Sequence, residues 1–462
     1  MEWFSKNKFW LTGVGLSILS TAVHFLAVNQ TIHPTGWDGY YYVMQVHSWL
    51  TFGYLQSPDF SLIYPFLTVI AAAAGNAILG YKIGVAIISG LLTATIYFKK
   101  QSALVALYVT ASPLVTYFIL QFPKNALGLI LLVLCLQSKN RFLIIVFFLA
   151  TLLTHRMTGA FAIIAAVIYS LRHVSWKWIA LGVVCLIALT FLPGVIHLSD
   201  LQRFDDQFTI VPHWAPLSFS FIFPRSLSLL FKIDLILVSV LIISSLVLFY
   251  KHKQHWLWLP VALISIFPFF QFKAGDVGYR FFLVAPVAFI MLMPAIEWKP
   301  RVQWALAGMF FIAALFSWKS YKPPYFDPPN NRYAYIIGNL SDRYSHHDYP
   351  LVIAHKSLAE MIIFKTDFDA LNWLPPEDMP QQHVLRLING VNYTDIRKHL
   401  DEVDRSLLRS IASGYFALPE DAWQRLVASV KNSNDEKVMK RIMRGGNPMD
   451  KRPYYLNKGK NR

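Results

Sequence analysis

Residues 62–79 read LIYPFLTVIAAAAGNAIL, and whether this stretch crosses a membrane decides the topology of the whole chain. Its length is close to the roughly 20 apolar residues that a membrane helix needs. Gly75 and Asn76 interrupt it, however, and Gly80 follows directly. Comparable apolar runs surround it at 9–28, 83–98, 103–122, 126–138, 142–158, 160–171, 178–197, 230–250, 256–272, 281–298 and 303–318. If residues 62–79 do not cross, the chain has eleven spans. Lys6/Lys8, Lys99/Lys100, Lys139/Arg141, Arg172/Lys177, Lys251/Lys253 and Lys299/Arg301 then all face the cytoplasm, where Lys and Arg collect. If they do cross, nearly all of these pairs change sides. The stretch is therefore read as re-entrant or lying in the outer interface, with a cytoplasmic N-terminus and an outer C-terminal tail. Residues 1–28 read as a span rather than a cleaved signal, because no convincing small-residue cleavage site follows.

The composition agrees. Of 462 residues, 55% are hydrophobic and 15% charged, against about 45–50% and 25% in soluble proteins. That excludes a disordered chain, and two cysteines exclude a disulfide scaffold. The net charge of +16 could suggest nucleic acid. Its distribution argues otherwise, because residues 1–318 scatter 20 Lys and Arg between apolar runs, against 9 acids. We expect an α-helical polytopic membrane domain over 1–318 and a small α/β extracytoplasmic domain over 319–462. In the second, PLVIAHK at 350–356 has a buried-strand pattern followed by a helix to about Phe364. Residues 395–430 read as helical, with a helix start at Pro419-Glu420-Asp421, and the chain ends in a basic run.

The same topology sorts the acids. Only Glu2 and Glu297 fall inside, whereas Asp38, Asp59, Asp200, Asp205, Asp206, Asp234 and Asp276 fall at or beyond the outer face. Lys82, Lys124, Arg156, Arg203, Arg225, Lys232, Lys273 and Arg280 join them, against the usual charge rule. Cations kept at an outer membrane edge point to an anionic ligand such as a lipid phosphate. In the first outer loop, Val43, Val46 and Leu50 recur at helical spacing, with Gln45 and Ser48 on another face, as in a helix lying on the membrane. Asp38 stands at its start between Gly36 and Gly39. There it either caps backbone N–H groups or serves as a general base for an acceptor hydroxyl. The loop 200–225 combines Asp205-Asp206 with His213-Trp214, which suits carbohydrate contact. No phosphate-binding glycine loop, dinucleotide fingerprint, zinc spacing or HExxH competes with this reading. Inverted halves of the transporter kind are not apparent either.

One layout gathers these features. A first span precedes an outer loop with Asp38 and an aromatic helix, then Tyr64-Pro65-Phe66, a span ending in Lys99-Lys100, a span with Ser112-Pro113, and the short turn Gln121–Asn125. Over residues 1–318 this resembles the GT-C superfamily of membrane glycosyltransferases, which includes protein O-mannosyltransferases, aminoarabinose transferases and oligosaccharyltransferase catalytic subunits. The resemblance implies that Asp38 is the catalytic carboxylate and that the YPF segment, with Tyr64 among the sugar contacts, matches the YPP-type pattern of many members. It also implies that Arg280 binds the donor phosphate, where a planar guanidinium suits bidentate contact, with Lys273, Lys124 and Arg156 as helpers. His155 would contact the sugar, and Asp276 would orient Arg280 or meet the acceptor. Many relatives carry an acid in the second outer turn, which in one branch helps hold a divalent metal. Lys124 and Asn125 stand there instead, so a metal-independent reaction without a cofactor is expected. Structural alternatives stay open for each: a snorkelling Lys124, an interfacial His155–Arg156 pair, an Asp276–Arg280 ion pair. The expected activity is inverting transfer of a sugar from a polyprenyl-phosphate donor to a hydroxyl of a glycan, lipid or protein. It would take place on the outer face of a bacterial inner (plasma) membrane, with no nucleic-acid partner. A transporter or flippase of a lipid-linked sugar, or an outer-face glycan polymerase or ligase, are the alternatives.

Overall fold

The structure, a computed structural model, describes residues 2–56, 61–173, 211–212, 229–252, 255–266, 270–271, 277–294, 299–371, 383–389, 393–435 and 438–439. In chain order the main helices are α1 (Glu2–Val28), α2 (Gly39–Phe52), α3 (Ile63–Ala74), α4 (Ala77–Lys100), α5 (Ala103–Ala111), α6 (Pro113–Gln121) and α7 (Pro123–Gln137). There follow α8 (Arg141–Thr154), α9 (Arg156–His173), α10 (Leu229–His252), α11 (Leu259–Ser265), α12 (Val277–Leu292) and α13 (Pro300–Ser317). The chain divides into two compact units, one of residues 1–36 and 58–326, the other of 37–57 and 327–462.

Among the described residues of the first unit, four helices are long and apolar enough to cross a membrane: Asn7–Val28, Ala77–Lys100, Leu229–His252 and Pro300–Ser320. A fifth candidate is the α5–α6 pair, bent by 63°. The other apolar helices are shorter; α7, with 15 residues, is only about 22 Å long at 1.5 Å per residue. Eleven complete spans are therefore more than these helices show. The run 178–197 lies outside the described residues. The run 142–158 is not one helix, because the chain breaks at an extended His155 between α8 and α9.

Residues 62–79 form a helical hairpin. Gly75 ends α3 with a φ of 65°, a left-handed cap that glycine adopts without penalty. The Asn76 side chain then accepts the Leu79 N–H and starts α4. Gly80 lets the two helices close, since a Cβ there would lie 2.3 Å from the Ala71 Cα. With 12 residues, α3 is about 18 Å long and does not cover a hydrocarbon core of about 30 Å.

Amphipathic faces are inverted where lipid replaces water. On α10, Ile236, Val240, Ile243 and Val247 form an exposed apolar stripe, each more than half accessible. Phe231, Asp234, Val238 and Ser245 on the opposite side are buried. Such a stripe suits contact with acyl chains and not with water. At the other end of the unit, Lys100 donates to the Met291 and Met293 carbonyls at 3.0 and 2.6 Å, closing the C-terminus of α12 with a cation.

The second unit is α/β. It contains α14 (Asn330–Arg343), β1 (Leu351–Ile353), α15 (Lys356–Lys365), β2 (Asp369–Leu371) and β3 (Val384–Asn389). After these come α16 (Tyr393–Arg397), α17 (Glu402–Leu407), β4 (Arg409–Ala412), β5 (Tyr415–Pro419) and α18 (Glu420–Asn432). The five-stranded sheet runs β2-β1-β3-β5-β4, with β1 parallel to both neighbours and the β3–β5 and β4–β5 pairs antiparallel. The expected strand at 350–356 and its helix are present as β1 and α15. Residues 409–419 are a hairpin, which corrects the helix expected over 395–430. Two short helices precede it, and every residue of β5 is buried, so the apolar run was a sheet core and not a helix face. The helix start at Pro419-Glu420-Asp421 is present. Glu420 is buried there in a two-pronged pair with Arg386, at 2.6 and 2.9 Å.

The helix of the first outer loop, α2, belongs to this second unit. It packs on α15, and Tyr40, Val43, Met44, Gln45, Val46 and Ser48 are all buried. Of the expected apolar face, Val43 and Val46 are buried, whereas Leu50 is 44% exposed.

Candidate functional site

Of the residues that the sequence singles out as a site, Asp38 belongs to the second unit and the others to the first. In the first unit they sit on turns. Phe122, between α6 and α7, places its ring 4.7 Å from the Arg280 guanidinium carbon. Pro123 opens α7 at a position where its missing N–H costs nothing. Next along, Lys124 holds its ammonium 5.5 Å from the Tyr64 ring, which is completely buried at the start of α3. Ser61 Oγ donates to the Thr154 carbonyl at 2.6 Å, tying that start to the α8–α9 break. There His155 Nδ1 accepts the Met157 N–H at 3.1 Å, so its ring caps α9. Arg156 is exposed. A Phe161–Phe281 contact at 5.7 Å joins α9 to α12 beside Arg280. Tyr64, Lys124, His155, Arg156 and Arg280 are thus brought to one end of the unit. Lys273 and Asp276 lie outside the described residues.

A residue given no separate role in the sequence reading joins this group. Asn125 is 2% exposed, and its amide nitrogen is buried with no acceptor among the described residues. It stands at the N-terminus of α7, where unpaired backbone N–H groups favour an anion. The signal was available: an amide directly after Lys124, in the short turn between two apolar runs.

Two charges assigned to the outer face are structural. Asp234 is buried and accepts from Ser112 Oγ at 2.6 Å, Leu114 N at 2.9 Å and Tyr108 OH at 3.1 Å. It closes the break between α5 and α6 instead of facing outward. Lys82 is also buried, donating to Asn29 Oδ1 at 3.3 Å and to the Thr31 carbonyl.

In the second unit Asp38 precedes α2, but its side chain makes no capping hydrogen bond. Asp38 Oδ1 instead accepts from Lys356 Nζ at 2.6 Å, across 318 positions of sequence. Lys356 begins α15, with its ammonium 5.5 Å from the Tyr41 ring and 3.8 Å from Glu360 Oε1, one turn on. Burial pushes the Glu360 carboxyl up to about 8; the nearby Lys356 charge opposes that shift, and Asp38 adds to it. His355 packs between Tyr333 and Tyr415, at ring distances of 4.9 and 6.4 Å. Burial lowers its imidazole to about 4. Sequence reasoning missed Lys356 and Glu360. An acid inside the apolar run LAEMIIF was the one visible signal.

A cavity of about 260 Å³ opens between α2 and the end of α15, beside His47, Ser48, Lys365 and Thr366. It is smaller than the roughly 300–1,000 Å³ typical of small-molecule sites. Among the described residues no three His, Cys, Asp or Glu side chains are grouped as metal ligands. Neither a family model nor a curated protein matches the chain.

Proposed function

We propose that the protein is an integral membrane glycosyltransferase that uses a polyprenyl-phosphate-linked sugar. The observation that carries this reading is the end of the first unit where Arg280 and Lys124 sit on aromatic rings beside the N-terminus of α7. The buried Asn125 amide there has no acceptor among the described residues. Cations, helix N-terminal N–H groups and a spare amide donor make an anion site. In this reading they hold the donor phosphate and stabilise the charge that develops as it leaves.

In this reading the base is Asp38. An acceptor hydroxyl gives its proton to the Asp38 carboxylate as its oxygen attacks the anomeric carbon. The bond from that carbon to the phosphate oxygen breaks, polyprenyl phosphate leaves, and the configuration inverts. The topology that goes with this has eleven crossings of a bacterial inner membrane, a cytoplasmic N-terminus and an outer C-terminal domain. The short apolar helices would thin the bilayer locally or pair end to end to complete it. Purified protein is to be given a panel of radiolabelled polyprenyl-phosphate sugars. Transfer by the wild type, lost by at least about 100-fold in Asp38→Asn with donor binding kept, is the expected result. Full transfer by Asp38→Asn sinks the assignment.

A lipid-linked sugar transporter is the second reading, favoured by the 63° break at Ser112-Pro113 with the buried Asp234 beside it. Broken helices and intramembrane acids are common in transporters. Movement of the labelled lipid across a vesicle membrane without cleavage would support it over the first.

A further inference from the structure

In the second unit one ammonium lies between two carboxyl groups. Lys356 Nζ is 2.6 Å from Asp38 Oδ1 and 3.8 Å from Glu360 Oε1. The outer pair is partly open, with side chains 42% and 33% exposed, whereas the Glu360 side chain is 2% exposed. Both Glu360 carboxyl oxygens are buried without a hydrogen-bond partner among the described residues. Its neighbours Leu358, Met361 and Ile362 belong to the hydrophobic core, where an acid lacking donors is costly. An i,i+4 pair with Lys preceding Glu is the weaker orientation and adds little to helix stability. Helix stability therefore does not explain Glu360.

We propose that Lys356 and Glu360 are positioning residues of Asp38: Lys356 holds the Asp38 carboxylate, and Glu360, once ionised, competes for the same ammonium and releases it. This rests on the reading of Asp38 as the base. The elements packed against α15 carry Tyr40, Tyr41, Tyr42 and His47 on α2, with Asp38 just before it, Arg332, Tyr333, Tyr335, Asp342 and Arg343 on α14, and Asp369 on β2; His355 precedes α15 and Lys356 opens it. Burial raises Tyr40 and Tyr333 and lowers His355, so these three stay neutral near pH 8. His47 lies against Phe364, a turn beyond Glu360. Burial raises the Glu360 carboxyl to about 8, and its Oε1 lies 3.8 Å from Lys356 Nζ, so its charge can compete with Asp38 for that ammonium.

The full chain in lipid nanodiscs provides the test. Lys356 is acylated with an amine-reactive acetate ester at about pH 9, and the product is read by peptide mass spectrometry, with Lys365 as internal reference. An ammonium beside two anions gives up its proton less readily. Asp38→Asn and Glu360→Gln should each speed Lys356 acylation by roughly 3- to 10-fold. An unchanged rate in Glu360→Gln overturns the shared ammonium, whatever the activity.

Transfer kinetics come second. The wild-type kcat should climb as pH rises through about 8, while KM for the donor stays level. Glu360→Gln should keep the low-pH kcat throughout, and His47→Gln should keep the wild-type profile. Lys356→Met, which releases Asp38 at every pH, should show the alkaline kcat throughout, with Lys356→Arg restoring most of the pH step. A wild-type profile in Glu360→Gln overturns the positioning role. Labelling that responds while Asp38→Asn transfers normally sinks the base and not the shared ammonium.

Discussion

Of the acids buried among the described residues, Asp234 in the helical unit and Glu360 in the α/β unit are treated in opposite ways. Asp234 receives a hydroxyl, a backbone N–H and a phenol at 2.6–3.1 Å. Glu360 receives no hydrogen bond from the described residues and has an ammonium 3.8 Å away. A buried polar group costs little when its hydrogen bonds are met and a great deal when they are not. Asp234 therefore reads as architecture: it fixes the bend between α5 and α6. Glu360 is a site of strain that architecture does not explain.

The sharpest way to break this comparison is Asp234→Leu, which leaves the Leu114 N–H, the Ser112 hydroxyl and the Tyr108 phenol without their acceptor. Each orphan costs about 1–3 kcal/mol, so a loss of about 3–5 kcal/mol is expected. Thermal unfolding in detergent measures it, and a wild-type melting temperature would remove the distinction between the two acids.

Glu360→Gln should have the next largest effect, with the opposite sign. The carboxyl is raised to about 8 from an ordinary 4.5. Between those values the folded chain keeps a proton that the unfolded chain has released. The contribution of Glu360 to stability is therefore full below about pH 4.5 and is lost as pH rises through about 8. Glu360→Gln should flatten that decline and gain on the order of a few kcal/mol at alkaline pH. A melting temperature followed from pH 5 to about 9 reports it.

His355→Phe should have the smallest effect. His355 is lowered to about 4 from 6.5, so its contribution is present above 6.5 and lost as pH falls through about 4. Phe keeps the packing on Tyr333 and Tyr415 and removes the titration. Acid unfolding should move to lower pH, by about 1–3 kcal/mol at pH 4.

These two acids also mark how far the sequence could be read. Asp234 sits close to the start of an apolar run, so the charge count placed it at the outer face. Only packing shows it turned inward toward Ser112, because the break at Pro113 exposes an N–H that needs an acceptor. Glu360 was passed over inside a helix correctly expected after 350–356. At residues 409–419 an apolar, turn-containing segment was read with the helical period, and sheet pairing with Val384–Asn389 prevailed. Among the site residues, the turn 121–125 and Arg280 were legible as cations out of place, and the structure brings them together through Phe122. The Asp38–Lys356 pair was not legible, because no periodicity connects positions 318 residues apart.

By itself the sequence determined that this is a helical chain built for a nonpolar solvent. It also determined that residues 62–79 break at Gly75-Asn76, and that cations stand in the turns between apolar runs. Hydropathy, cap residues and charge are local or additive properties, so a single chain reveals them. Which unit α2 joins, which partner holds Asp38 and which buried acid is satisfied were decided only by tertiary structure. Those depend on where distant donors and acceptors meet, and there the desolvation of a few polar groups outweighs any local preference.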